Sequence, residues 1–184
     1  MTSQAPSAVA PLTPVQRPIA QHVVEGWSNT KIAKECWVSP STVTTHLRRI
    51  RVRLHGEKRC SRAVLAHTLL RYRLVDPPPL PPKLEPFTPS RGTLLLLRAL
   101  AEHSLAADIA EAAQIAPTSV GTRTRKLMRT MQATDPAHLI GIAHALGFLR
   151  PGPPAQPAAA VPSDPGTTIR TNLPNTLAPR RRTS

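Results

Sequence analysis

Apolar residues in this chain recur at helical spacing and never in sustained alternation, so the pattern predicts helices and no strands. Val43, Leu47, Ile50 and Leu54 step by four, three and four, which makes one inward stripe of a helix. The opposite surface carries Ser41, Thr42, Thr45, Arg48 and Arg49, with Thr44, Arg51 and Arg53 on its flanks. Ser39-Pro40 supplies a start for this helix, a hydroxyl cap followed by a residue that needs no amide partner. Upstream, "QRPIAQHVVEG" predicts a helix with Ile19, Val23 and Val24 inward and Gly26 as a left-handed stop. Pro18 pushes its expected start to about residues 17–18. Between the two lies "NTKIAKEC", capped by Ser28 or Asn29, with Ile32, Ala33 and Cys36 at core spacing. That spacing predicts a buried Cys36, inert to thiol reagents.

The same pattern returns further along. "HSLAADIAEAAQIAPTSVGTRTRKL", residues 103–127, repeats Ile32-Ala33, Pro40 and Val43 as Ile109-Ala110, Pro117 and Val120. Two blocks follow, 12–75 and 87–150, opening alike with "LTP" and "FTP", where Thr-Pro is expected to start a helix; in the second block Ser104 is the expected cap of the next one. Between them, residues 76–86, "DPPPLPPKLEP", hold six prolines in eleven positions and favour polyproline II. Residues 1–11 and the basic tail 151–184 lack the apolar content to fold and are expected to be disordered. The predicted fold is all-α: two tandem small helix-turn-helix domains joined by a Pro-rich linker. Each block is near the lower size limit for an adequate core. An extended linker would span about 34 Å and set two half-sites one helical turn apart as a direct repeat. Alternatively the blocks pack together as an internal pseudo-dimer, with the linker lying across their surface.

Charge narrows the class of partner. The 184 residues carry 24 Lys and Arg against 10 Asp and Glu, a net charge of +14, which points to a polyanion. Arg provides most of it, which suits bidentate contact with phosphate or guanine, although a GC-rich genome would produce the same bias. No apolar run approaches membrane-spanning length and no signal peptide is visible, so a cytoplasmic, nucleoid-associated protein is expected. Cys36 and Cys60 are too few for a disulfide framework, and with His46 they are too far apart in sequence for a zinc site. No Gly-rich phosphate loop, paired carboxylates or metal cluster is evident, so neither an enzyme nor a cofactor is expected.

A short capped helix, a tight turn and a helix with a hydroxyl-and-Arg outer face form a helix-turn-helix pattern suited to a major groove. Through "LTP" and "EGWSNTKIAKECWVSPSTVTTHLRRI", residues 12–75 resemble the LuxR/NarL (GerE-type) DNA-binding domain of bacterial regulators. Gly26, Ser28, Asn29, Ile32, Ala33, Ser39, Thr42, Val43 and His46 match that pattern. The resemblance implies a four-helix domain whose third helix reads DNA and whose fourth often forms a dimer contact. The chain departs from it in "VQRPIA", where acidic residues are common, and at Thr44, where Lys is usual. Arg48 and Arg49 are placed to supply what that Lys would. His46 is read as a packing or phosphate-contacting residue. The family often places a receiver or ligand-sensing domain first, and the residues before Leu12 are too few for one.

The expected DNA contacts are Lys31, Ser41, Thr42, Thr44, Thr45, Arg48 and Arg49 in the first block, then Thr118, Thr122, Arg125, Lys126 and Arg129 in the second. The first block holds 12 basic and 3 acidic residues and the second 7 and 4, so the first should dominate phosphate neutralisation. The segment "HLIGIAHALGFL", within 138–149, is apolar nearly all round and fits a covered core helix or a self-association surface. The sequence thus points to a transcription regulator that binds double-stranded DNA through tandem LuxR-type modules. An interaction adaptor is the alternative, in which the second copy packs or dimerises and RNA polymerase is the partner, as for region four of sigma factors.

Overall fold

The computed structural model describes residues 11–56 and 59–150. The expectations for residues 1–10 and 151–184 lie outside these. Among the described residues there are eight helices and no strand: α1 (Gln16–Val24), α2 (Asn29–Glu35), α3 (Pro40–His55), α4 (Arg62–Arg71), α5 (Arg91–Glu102), α6 (Ala106–Ala113), α7 (Pro117–Thr130) and α8 (Pro136–Ala145). No helix is long and apolar enough to cross a membrane.

Hydroxyl groups cap half of these helices. The Thr13 hydroxyl accepts from the Gln16 amide and the Gln16 side chain accepts from the Thr13 amide, a reciprocal box just ahead of α1. Ser28, Ser39 and Ser61 cap α2, α3 and α4, and Pro40 occupies the first turn of α3. Gly26 takes φ 77 and stops α1 as expected. Two caps of the second block differ from expectation. Ser90 rather than Thr88 caps α5, because Ser90 has the extended backbone that aims its hydroxyl at the Thr93 amide. Ser104 does not cap α6. Its hydroxyl accepts from the Ser61 amide at 2.9 Å and donates to the Arg59 carbonyl at 3.1 Å, joining it to the start of α4 instead.

Packing ties the two helical blocks into one body. Their buried residues, from Ile19 to Leu149, form one continuous core. Its centre is the contact of α4 with α8, flanked by α1 against α8 and α4 against α5. Every residue of α4 from Ala63 to Leu70 is buried. In α8, Ala137, Leu139, Ile140, Ile142 and Ala143 have no exposure. Of the two readings of this apolar segment, a covered core helix or a self-association surface, the helix is covered within the same chain, with α4 as its main neighbour. The Pro-rich stretch does not act as a strut between separate blocks. The Gln21 side chain pairs with both backbone groups of Asp76 at 3.0–3.1 Å, Pro78 is buried against α8, and the Lys83 carbonyl accepts from Gln132 at 2.6 Å. The chain therefore runs along the surface that the blocks share.

Two glycines permit the closest approaches. A Cβ on Gly141 would stand 2.8 Å from both Pro78 Cγ and the Val24 carbonyl, so α8 meets α1 and the Pro-rich stretch only because this side chain is missing. Gly26 combines its left-handed backbone with contact against Thr134 and His138 at the start of α8. Cys36 caps the C-terminus of α2 at the rim of the core and is half-buried rather than enclosed. Burial, with Glu35 second, raises its thiol pKa.

Polar groups cross the central contact as well. His67 of α4 and His144 of α8 approach at 2.9 Å, Nδ1 to Nε2, and both are held below the ordinary imidazole range. Burial is the main cause for each. Arg71 adds to it at His67 while Glu102 opposes, and the neighbouring His67 helps take His144 down to about 4. Arg62 at the start of α4 lies 3.2 Å from the Asp135 carboxylate, which caps α8.

Two outcomes follow from this packing. Gly141→Val should lower the unfolding free energy by about 1–3 kcal/mol, read as a lower urea midpoint with an unchanged slope. The second concerns pH. A histidine whose folded pKa is depressed takes its proton first in the unfolded chain, so the stability it lends is present above about 6.5 and is lost as pH falls toward 4. The urea midpoint should drop between pH 7.5 and pH 5, and His144→Gln should flatten part of that fall.

Candidate nucleic-acid interface

The α3 surface follows from the way the helix is held. Its inner stripe, Val43, Leu47 and Ile50, is buried, and Leu54 packs partly against the same core. That leaves Ser41, Thr44, Thr45, Arg48 and Arg49 exposed on the outside, with no acidic residue anywhere in the helix. Thr42 is half-buried, and its hydroxyl meets Ser39 Oγ at 2.8 Å, so it belongs to the cap as much as to the open face. The Ser39 hydroxyl also lies 2.7 Å from that of Ser41. Thr44 and Thr45 donate to the carbonyls of Pro40 and Ser41, which fixes their rotamers and leaves each hydroxyl oxygen able to accept.

Neighbouring elements set this helix in place. Asn29, at the start of α2, donates to Thr44 at 3.3 Å and accepts from Arg62 at 3.1 Å. One side chain thereby links α2, α3 and α4. Arg62 also donates to the Trp27 carbonyl, and burial lowers its pKa, with Asp135 opposing. Arg53 turns back to the Pro11 carbonyl and the Gln16 side chain, so it anchors the chain before α1 rather than extending the outer face. His46 is half-buried, and its enclosed Nδ1 has no hydrogen-bond partner among the described residues.

Lys31 comes into position through an aromatic stack that the sequence pattern did not reveal. Trp27 stacks on His22 with ring centroids 4.1 Å apart, and the Lys31 ammonium sits 3.6 Å from the Trp27 centroid. The stack holds one cation near the N-terminus of α2, next to the Asn29–Thr44 link. Trp37 was missed too. It occupies the turn between α2 and α3 with φ 54 and is 93% exposed. A bulky residue with left-handed backbone signals that the turn geometry is imposed by the helices on either side.

A comparison with family models matches residues 10–66 to "Bacterial regulatory proteins, luxR family". Residues 10–66 are a luxR-family helix-turn-helix domain. The match includes α1, α2, α3 and the first part of α4, and so contains the whole α3 face and its supports. This family is one of DNA-binding regulators, not of enzymes. No curated protein and no solved structure matches the chain.

Outside the luxR-type domain, α7 carries Thr118, Thr122, Arg125, Lys126 and Arg129, all exposed, around a buried stripe of Val120, Thr124 and Leu127. Arg123 is exposed there as well, at the position matching His46 of α3. Arg125 donates to the Gly121 carbonyl at 3.2 Å, lying along its own helix. No group of three or more possible metal ligands occurs among the described residues.

The cap network at the start of α3 gives a direct check. Ser39→Ala removes the acceptor for the Thr42 amide and should cost about 1 kcal/mol of stability. Thermal melts would measure that loss, and DNA affinity should fall further than the stability change explains, since Ser41 and Thr42 lose their shared partner.

Proposed function

We propose that this chain is a sequence-specific DNA-binding transcription regulator that uses two luxR-type modules in tandem, α1–α4 and α5–α8. The observation that carries the reading is the outer face of α3. Within the matched domain, an unbroken row of hydroxyl and Arg side chains stands opposite the buried Val43, Leu47 and Ile50 stripe. Hydroxyls serve base edges or phosphates, Arg grips guanine or phosphate in a fork, and phosphate contacts set the register. Lys31 on its Trp27 ring supplies a positioned phosphate contact beside them.

The second module rests on correspondence at the 77-residue offset. Ser41, Thr45, Arg48 and Arg49 fall on Thr118, Thr122, Arg125 and Lys126, while Thr44 falls on Gly121. At an offset of 74, α4 and α8 correspond in their caps, Ser61 and Asp135, and in the left-handed residues after them, Arg73 and Gly147. The left-handed turn before the reading helix recurs as well, Trp37 with φ 54 and Gln114 with φ 55. The adaptor reading, with the second block as a packing module and RNA polymerase as the partner, draws on the burial of α8 by α4. It leaves the exposed basic face of α7 without a role.

Arg48→Ala and Arg49→Ala should each weaken specific binding by about 1–3 kcal/mol, with folding unaffected because both side chains are exposed. Fluorescence anisotropy across a salt series measures this on a sequence selected from random duplexes. Equal affinity of both variants and wild type would remove α3 from the interface. Capture of polymerase subunits together with salt-insensitive DNA binding would favour the adaptor.

A further inference from the structure

We propose that one copy of this chain presents α3 and α7 about an internal two-fold axis and reads a pseudo-palindromic DNA site of inverted, non-identical half-sites. This rests on the DNA-binding reading of α3 given above. It replaces the direct repeat that an extended linker would have set.

Reciprocal contacts identify the axis. In a two-fold contact, residue i of one unit meets residue j of the other while j meets i, and a residue on the axis meets its own equivalent. Head-to-tail packing gives the first contact without its mirror. The caps of α4 and α8, Ser61 and Asp135, make these two helices equivalents, and they pack on each other with His67 and His144 touching at 2.9 Å. Away from the axis, the Gly26 carbonyl accepts from Thr134 beside His138, where α8 begins. The mirrored contact is Ser104 with Arg59 and Ser61, where α4 begins. Gly26 corresponds to His103, next to Ser104, and Thr134, one residue before the α8 cap Asp135, corresponds to Cys60, between Arg59 and the α4 cap Ser61. Whole helices obey the same rule: α1 packs on α8, α5 packs on α4, and α4 packs on α8.

The axis that exchanges α4 with α8 also exchanges α3 with α7. A duplex has its own two-fold relation between half-sites, so a protein with this symmetry engages inverted half-sites about one helical turn apart, 10–10.5 base pairs. The faces are alike but not identical. Thr45 and Arg48 recur as Thr122 and Arg125, whereas Thr44 becomes Gly121 and Arg49 becomes Lys126. Lys offers a point charge where Arg offers a fork, so the second half-site is read less stringently. Since α4 and α8 cover each other within one chain, the reading unit needs no second copy.

The test selects random-sequence duplexes with the full chain, then measures stoichiometry on the enriched duplex by analytical ultracentrifugation. The expected result is an inverted repeat of similar half-sites bound by one chain. Reversing one half-site to make a direct repeat should weaken binding about tenfold or more. The exposed pair Arg125→Ala with Lys126→Ala should relax preference in one half-site only. An enriched direct repeat, or two chains on each duplex, overturns the two-fold reading. So does a single half-site that depends on Arg48 and is indifferent to Arg125 and Lys126, although the regulator reading then stands. Enrichment of no sequence at all sinks both.

Discussion

A helix buried on every side needs cover on every side, and neither α4 nor α8 can obtain that from its own block. Each block is about the smallest size at which a chain buries enough surface to fold alone. Within its block α4 rests on α1, and α8 rests on α5; further cover comes from the other block, from α5 and α8 for α4 and from α1 and α4 for α8. The shared core then constrains everything outside it. The Pro-rich stretch must lie along the joint, Gly141 must lack a side chain where it meets Val24 and Pro78, and Gly26 must stay bare beneath Thr134. Polar groups in this region meet across the joint, His67 with His144 and the half-buried Arg62 with Asp135.

Arg62 shows how the core reaches the outer face of α3. It is fixed from the second block by the Asp135 carboxylate, and in turn it holds Asn29 and the Trp27 carbonyl. Asn29 passes that constraint to Thr44 on the outer side of α3. Trp27 carries Lys31 on its ring. A chain of direct contacts therefore runs from the N-terminal cap of α8 to two side chains on the proposed reading surface. The second block steadies the first whether or not its own helix meets a base, because the positions of Thr44 and Lys31 depend on a carboxylate that only the second block provides.

The features legible in the sequence were those set within a few residues. The Val43, Leu47 and Ile50 stripe, the Ser28 and Ser39 caps, Pro40 at the head of α3 and the left-handed Gly26 each follow from local geometry. The features that escaped depend on distant neighbours. Ser104 looked like a helix cap because serine before a helix usually is one, but the Ser61 amide and Arg59 carbonyl competed for its hydroxyl and won. Cys36 had core spacing, yet α2 ends before it and leaves it at the rim. The Pro-rich run has the intrinsic stiffness of a spacer, but Gln21 and Gln132 hold it against the helices. Trp27 gave no sign of its stack, because His22 and Lys31 reach it from two different helices.

The proposed joining of two reading modules in one chain changes what each can become. In a dimer of identical chains, any substitution in the reading helix appears twice, so the half-sites must change together. Here Thr44 and Gly121, or Arg49 and Lys126, occupy matching positions and are free to differ. Residues in the contact between α4 and α8 are less free, because each must fit a partner across it. His67 and His144 are the same residue type and satisfy each other by one serving as donor and the other as acceptor, which requires that not both be protonated. Asymmetry enters where it finds room, as at Gly141, whose counterpart in α4 is His67: one side of the joint has an imidazole, and the other gives that volume to Pro78. A duplex with two related but unequal half-sites would match such a protein in both its symmetry and its departures from symmetry.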